Sequence, residues 1–335
     1  MWNQWLQLIF MLLVILIASQ LFTNALEYFG QRIKISTGVT GSIFAAIATA
    51  LPETMVPIIA IVAGTSNKLI NQQIGVGAIL GSSLMLSTLS TFLLGLSAIK
   101  KRGLQGRIKP EKTGFRRDIN FFLLSFSLAA IAMFVPYKPL YWRASISFAL
   151  VCLYIIYLVV TIKASKTLVK NGHGVVINEP MIFTKFGLKN NTSTIIVQLI
   201  VGLILLLFGA KGFIDGVEGI SLALNISALV LSLLIIPIAT ELPEKVNSII
   251  WVRKNKDTLG FGNITGAMAF QGSILPALGI LLTPWQPSRE VLTCIIITFF
   301  ASIWLRLNIS IKGLLITALF MNGFLYLIYI FLIFV

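Results

Sequence analysis

The 335-residue chain is 57% hydrophobic and 11% charged, with a mean hydropathy of +0.94. A soluble domain of that length carries far more charge, so the composition points to a polytopic membrane protein. The formal charge of +15 does not indicate nucleic-acid binding, because the basic residues lie between apolar runs, where membrane topology accounts for them. Cys152 and Cys294 sit in apolar runs without metal or disulfide spacing, and His173 is alone in a polar loop.

Hydropathy predicts ten spans, at roughly 4–23, 38–63, 74–99, 119–136, 140–162, 194–213, 226–251, 260–283, 289–305 and 313–334. Each is near the ~20 residues that cross the hydrocarbon. The first lacks a basic leader and a small-residue cleavage site and reads as a span rather than a signal peptide. The expected fold class is an all-α integral membrane protein, ten transmembrane helices in two inverted five-helix repeats. Residues 1–162 form the first repeat, 163–193 a cytoplasmic linker and 194–335 the second repeat.

Lys and Arg set the orientation. With both termini outside, the inner connections hold Arg32 and Lys34, the basic run from Lys100 to Arg117, the lysines of the central loop, Arg253 to Lys256, and Arg306 with Lys312. The outer connections hold only Lys68, Lys138, Arg143, Lys211 and Arg289. Such a bias is that of a multi-pass protein of the cytoplasmic membrane.

Two short stretches stand out. Ala48-Thr49-Ala50-Leu51-Pro52-Glu53 and Ala239-Thr240-Glu241-Leu242-Pro243-Glu244 differ at one position, and each lies inside an apolar run. A proline removes a backbone donor and frees a carbonyl one turn back. A carboxylate within a membrane is costly and faces a cavity or an ion path. After each stretch comes a glycine pair, Gly77 and Gly81 or Gly262 and Gly266, at a spacing that lets helices approach closely. Five spans separate the equivalent elements, so the halves have opposite orientation, the architecture of many secondary transporters. A single Pro-Glu could be a kink with a packing contact; two copies in inverted halves argue for a duplicated cation site.

The acidic residues within spans are Glu53, Glu241 and Glu244; the others, Asp118 among them, fall in loops or at span ends. Glu241 and Glu244, three apart on a helix, share a face and repel unless a proton or cation compensates. Calcium suits such a place, since it takes 6–8 oxygen ligands from carboxylates, carbonyls and waters. Glu53 and Glu244 would supply carboxylates from opposite repeats, and Thr49 and Thr240 hydroxyl or carbonyl oxygens. Lys245, beside Glu244, is placed on another helix face, snorkelling or paired with lipid or a carboxylate rather than within the site.

These motifs resemble the sodium/calcium exchanger family of the cation/calcium antiporter superfamily, in a divergent, prokaryotic-type form. The family's repeats carry Gly-Thr-Ser-Leu-Pro-Glu and then Gly-Asn-x-x-Gly-Ser-Asn. The resemblance implies ten spans, alternating access around four central helices, and calcium binding by Glu53 and Glu244. It also implies site roles for Thr49 and Thr240, for Ser82 as a sodium ligand, and for Asn263. The chain departs from the pattern at several positions. Alanines 48 and 239 replace glycines, Ala50 and Glu241 replace serines, and Ala267 replaces a serine. Ser83 and Met268 replace asparagines. Leu86 and Gln271 stand where the family places an asparagine and an acidic or amide residue. Gln271 and Glu241 therefore join the candidate cation ligands.

The expected function is antiport of calcium, or a similar divalent cation, for sodium, with no cofactor. A proton-coupled exchanger is the alternative, because sodium ligands are depleted while carboxylates persist. A cation-binding homologue without transport is a further rival. An enzyme is not expected, since no span carries a histidine and neither cysteine has a partner. The expected partners are inorganic cations and membrane lipid, no nucleic acid, and the protein is expected to work as a monomer.

Overall fold

The computed structural model describes residues 2–32, 51–169 and 180–334. In chain order the helices are α1 (Trp2–Arg32), α2 (Leu51–Ala63), α3 (Lys68–Met85), α4 (Thr91–Arg102), α5 (Lys112–Ile131) and α6 (Tyr141–Val169). There follow α7 (Ile182–Lys185), α8 (Thr192–Leu224), α9 (Ala228–Thr240), α10 (Leu242–Arg253), α11 (Asp257–Gln271), α12 (Ile274–Leu282), α13 (Arg289–Asn308) and α14 (Ile316–Phe334). Two antiparallel strands of two residues, β1 (Arg107–Ile108) and β2 (Leu314–Leu315), tie the loop after α4 to the start of α14. This pair is a small departure from an all-α chain.

Among the described residues, eight helices are long and apolar enough to cross a membrane, and two shorter apolar ones cover Glu53–Ala63 and Ala228–Ile238. The expected spans 38–63 and 226–251 meet the shorter pieces. The first is described only from Leu51, and the second is split at Glu241. The expected linker is described in part. Its end, through Met181 and α7, is held by a buried amide pair from α1 and α8: Ile182 N donates to Asn24 Oδ1 (2.9 Å) and Phe183 N to Gln198 Oε1 (3.0 Å). Gln198 Nε2 donates in turn to Asn24 Oδ1 at 3.0 Å.

Helix packing follows from small residues. On α8, Gly202, Gly209 and Gly216 recur at heptad spacing, and a Cβ at Gly202 or Gly209 would lie 2.9 Å from Phe22 N or Ile15 Cγ1 of α1. That seam lets α1 lie along α8, while Leu6, Phe10 and Ile17 on the far side of α1 are exposed, as a lipid-facing surface requires. On α3, a Cβ at Gly77 would lie 2.6 Å from Ser232 Cβ, and one at Gly81 would lie closer than contact to Leu233 O and 2.8 Å from Pro237 Cγ. The first glycine pair thus seats α3 against α9. Gly262 has nothing within 4 Å among the described residues, and Gly266 has only the Tyr157 hydroxyl at 3.7 Å.

The spans that follow the two motifs are interrupted at equivalent positions. In the first, α3 passes through a π-helical turn, Leu86–Ser90, into α4. Asn322 of α14 covers the loosened backbone by donating from Nδ2 to Ser87 O at 2.6 Å. In the second, α11 ends at Gln271, and a Gly272-Ser273 joint leads into α12. Gly/Ser pairs and π-turns are recognised causes of such breaks.

On the side where the expected inner loops lie, Arg102 at the end of α4 grips Asp257 at the start of α11 through both Nη atoms, each at 2.7 Å. Asp257 Oδ2 also accepts from Lys109 N at 2.7 Å. Two acidic and basic positions read as peripheral are in fact interior. Asp118 lies within α5, buried, accepting from Thr265 Oγ1 (2.7 Å) and Tyr157 Oη (3.3 Å). Arg143 is buried in the first turn of α6, with Nη2 donating to Val135 O at 2.9 Å.

Candidate cation site at the broken second motif

The second motif forms a joint between two half-helices. Pro237 lies inside α9, and Pro243 occupies the first turn of α10, where a missing N–H costs nothing. Between them the chain leaves helical geometry at Glu241, with φ −98° and ψ 9°. Glu241 N still donates to Pro237 O at 3.3 Å, and Glu241 O accepts from Lys245 N at 3.1 Å. The expectation that Glu241 and Glu244 sit on one continuous helix is therefore corrected: Glu241 is the joint itself and Glu244 lies in the first turn of α10.

Around this joint the structure gathers most of the predicted residues. Glu53, Thr240, Glu241, Glu244, Ser82 and Gln271 are all buried, none more than 3% exposed. Gln271 Nε2, at the end of α11, donates to Glu53 Oε2 at 2.9 Å and joins the two halves of the chain. Glu53 lies within electrostatic reach of Glu244, Glu241 and Lys245. Ser82 of α3 and Gln271 present their polar ends to the Glu241 carboxylate, which Tyr326 of α14 also faces. Among the described residues, Glu53 Oε1, Gln271 Oε1 and both Glu241 oxygens are buried with no donor at full hydrogen-bonding geometry. A group of buried acceptor oxygens of this kind suits a hard cation.

Two predicted ligands donate hydrogen bonds to the backbone of their surroundings. Thr240 Oγ1 donates to Ile236 O at 3.1 Å. Asn263 is half-buried, and its Nδ2 donates to Glu244 O (3.2 Å) and Ser248 Oγ (3.0 Å), so it braces the backbone of α10. Thr49 lies outside the described residues. No three carboxylate, imidazole or thiol side chains are gathered at metal-ligand spacing among the described residues, so amide, hydroxyl and carbonyl oxygens must complete any calcium shell.

Lys245 overturns the expectation made for it. It is 5% exposed, its Nζ lies 3.6 Å from Glu241 Oε2, and it donates to Pro237 O at 3.1 Å. Its ammonium is within the site. The signal was present in the sequence: Glu241 and Lys245 are four apart, the spacing of a helical ion pair.

The comparisons with known proteins agree with this architecture. The model of the sodium/calcium exchanger protein family matches residues 3–163 and 194–335. An uncharacterized membrane protein of Methanocaldococcus jannaschii is 28% identical over 260 residues, 76% of this chain and 74% of its own length. Among solved structures, an H+/Ca2+ exchanger, CAX, superposes with a TM-score of 0.75 at 16% identity, over 99% of this chain and 86% of its own. A sodium-calcium exchanger, NCX_Mj, superposes with a TM-score of 0.55 at 27% identity, over 97% of this chain and 98% of its own.

Proposed function

The chain belongs to the sodium/calcium exchanger family, and on that premise we propose that it is a secondary active antiporter that exchanges calcium, or a similar divalent cation, for sodium by alternating access. The observation that carries this reading is the Gln271–Glu53 hydrogen bond beside Glu241 and Glu244. It brings the acidic ends of two motifs from opposite halves of the chain into one buried, oxygen-rich cluster. Glu53 and Glu244 hold the divalent ion, and Gln271 aims Glu53. Ser82, Thr240 and Thr49 supply neutral oxygens, while Asn263 fixes the carbonyl side of α10. The reaction is ion exchange and not catalysis: the family consists of transporters.

The broken helices supply the moving parts. At such joints, freed carbonyls and half-helix ends share the ion with side chains, and rocking of one repeat against the other opens the site to alternate sides. The reading places ten spans in two inverted five-helix repeats, residues 1–162 and 194–335, joined by a cytoplasmic linker, with both termini outside and a monomer in the cytoplasmic membrane. Basic residues concentrated on one set of connections support that orientation.

Proton coupling is the second reading. It is favoured by the site's composition: Leu86 is an apolar residue where the family places an asparagine, and three carboxylates remain. Calcium uptake into liposomes holding the purified protein separates the two. Uptake driven by an outward sodium gradient at equal pH is expected. Uptake driven only by a pH gradient assigns the proton, and none under either gradient defeats the antiporter reading.

A further inference from the structure

The pair Glu241–Lys245 has no counterpart in the first motif. At the equivalent positions stand Ala50 and Thr54. The two motifs thus differ by one added carboxylate and one added ammonium, and their net charge is the same. Both added groups are buried, and the Lys245 Nζ contacts a carboxylate oxygen at 3.6 Å and the Pro237 carbonyl at 3.1 Å. That carbonyl belongs to the last turn of α9. The C-terminal end of an interrupted half-helix carries partial negative charge and exposed carbonyls, and in transporters of this design it is a place where a monovalent cation binds. The titratable groups that face Glu241 are Lys245 and Glu244, with Glu53 across the site and the neutral phenol of Tyr326 from α14.

From this geometry we propose that the Lys245 ammonium is a tethered cation that fills one cation position of the transport site. It leaves net charge for one divalent ion or two monovalent ions. The inference rests on the antiporter reading and adds its stoichiometry: calcium exchanges without net movement of charge. Lys245 acts as a positioning residue and travels with the protein, not with the ions.

The test uses the full chain in liposomes, with radiocalcium on one side in a buffer free of the counter-ion. Counter-ion released per calcium taken up is read together with the response of the flux to a clamped membrane potential. Wild type should release about two counter-ions per calcium and ignore the potential, whereas Lys245→Gln should release about three and respond to it, because an uncompensated charge must then be moved through the membrane field. The double variant Glu241→Gln/Lys245→Gln should return to about two counter-ions per calcium and ignore the potential, whatever its rate. Equal ratios in wild type and Lys245→Gln, or a wild type that already responds to potential, overturn the inference. If Lys245→Gln is not recovered folded, the double variant decides: potential-independent exchange supports the tethered cation, and potential-dependent exchange or lost calcium binding contradicts it. Absence of calcium flux in wild type under every gradient counts instead against the antiporter reading.

Discussion

The two spans that follow the motifs are the same design executed twice with different outcomes. Both carry a glycine pair four residues apart, and both are interrupted five or six residues after the second glycine. The first interruption is a π-turn that keeps the chain helical, with Asn322 satisfying the loosened carbonyl of Ser87. The second is a full break at Gly272-Ser273 that leaves Gln271 at a helix end, from which it reaches Glu53. Leu86, the equivalent of Gln271, is wholly buried among apolar side chains. The difference teaches that matching glycine spacing goes with a yielding backbone in both spans, while the residue at the yielding point decides whether that place offers a polar amide or only packs.

Each part of this comparison can be broken by substitution. The largest effect is expected at the shared carboxylates. Glu53→Gln or Glu244→Gln keeps size and removes the charge on which calcium affinity depends. Calcium flux in liposomes should fall to background in both while each protein remains monodisperse, and retained flux in both would move the site elsewhere. Next is Gln271→Leu, which makes the second span resemble the first. Losing an orienting partner of a metal ligand typically costs 10–100-fold, so calcium affinity measured by radiocalcium binding should drop by about tenfold or more. Unchanged affinity would make the Gln271–Glu53 contact incidental.

Protons compete with calcium for carboxylates, so initial calcium flux should rise from about pH 6 to about pH 9. Protonation removes charge from the calcium site, and deprotonation restores it. A flux that falls over that range would remove the carboxylates from the binding step. The smallest effects are structural. Gly81→Ala should lower the thermal unfolding midpoint in detergent, since its Cβ would overlap the Leu233 carbonyl and overpacking costs about 1–3 kcal/mol. Asn322→Leu leaves the Ser87 carbonyl with Thr91 Oγ1 (3.0 Å) as its side-chain donor and should cost less, about 0.5–1.5 kcal/mol.

Much of this was legible before the structure. The carboxylates Glu53, Glu241 and Glu244 stood out because little else in the spans is charged, and the glycine pairs marked where helices meet. Lys245 lies on another face than its neighbour Glu244, but its pairing with Glu241, one helical turn back, keeps the ammonium inside the site rather than at the lipid. Asp118 was misplaced for a different reason. Hydropathy starts the fourth span at 119, but Glu111 caps a helix that begins at Lys112, accepting from Thr113 N and Gly114 N. Thr265 and Tyr157 then satisfy the buried carboxylate from other helices. Such long-range partners leave no local pattern. The split at Glu241 was hidden too, since each proline of that span, Pro237 and Pro243, reads equally as a kink or as the start of a new helix.

The central claim is that residues of both motifs hold one divalent ion. Crystals soaked with calcium or strontium test it most directly, through the anomalous signal of the bound ion. The account predicts a peak between the carboxylates of Glu53 and Glu244, at roughly 2.3–2.6 Å from oxygens of both. A bound ion with neither carboxylate in its coordination shell would contradict it.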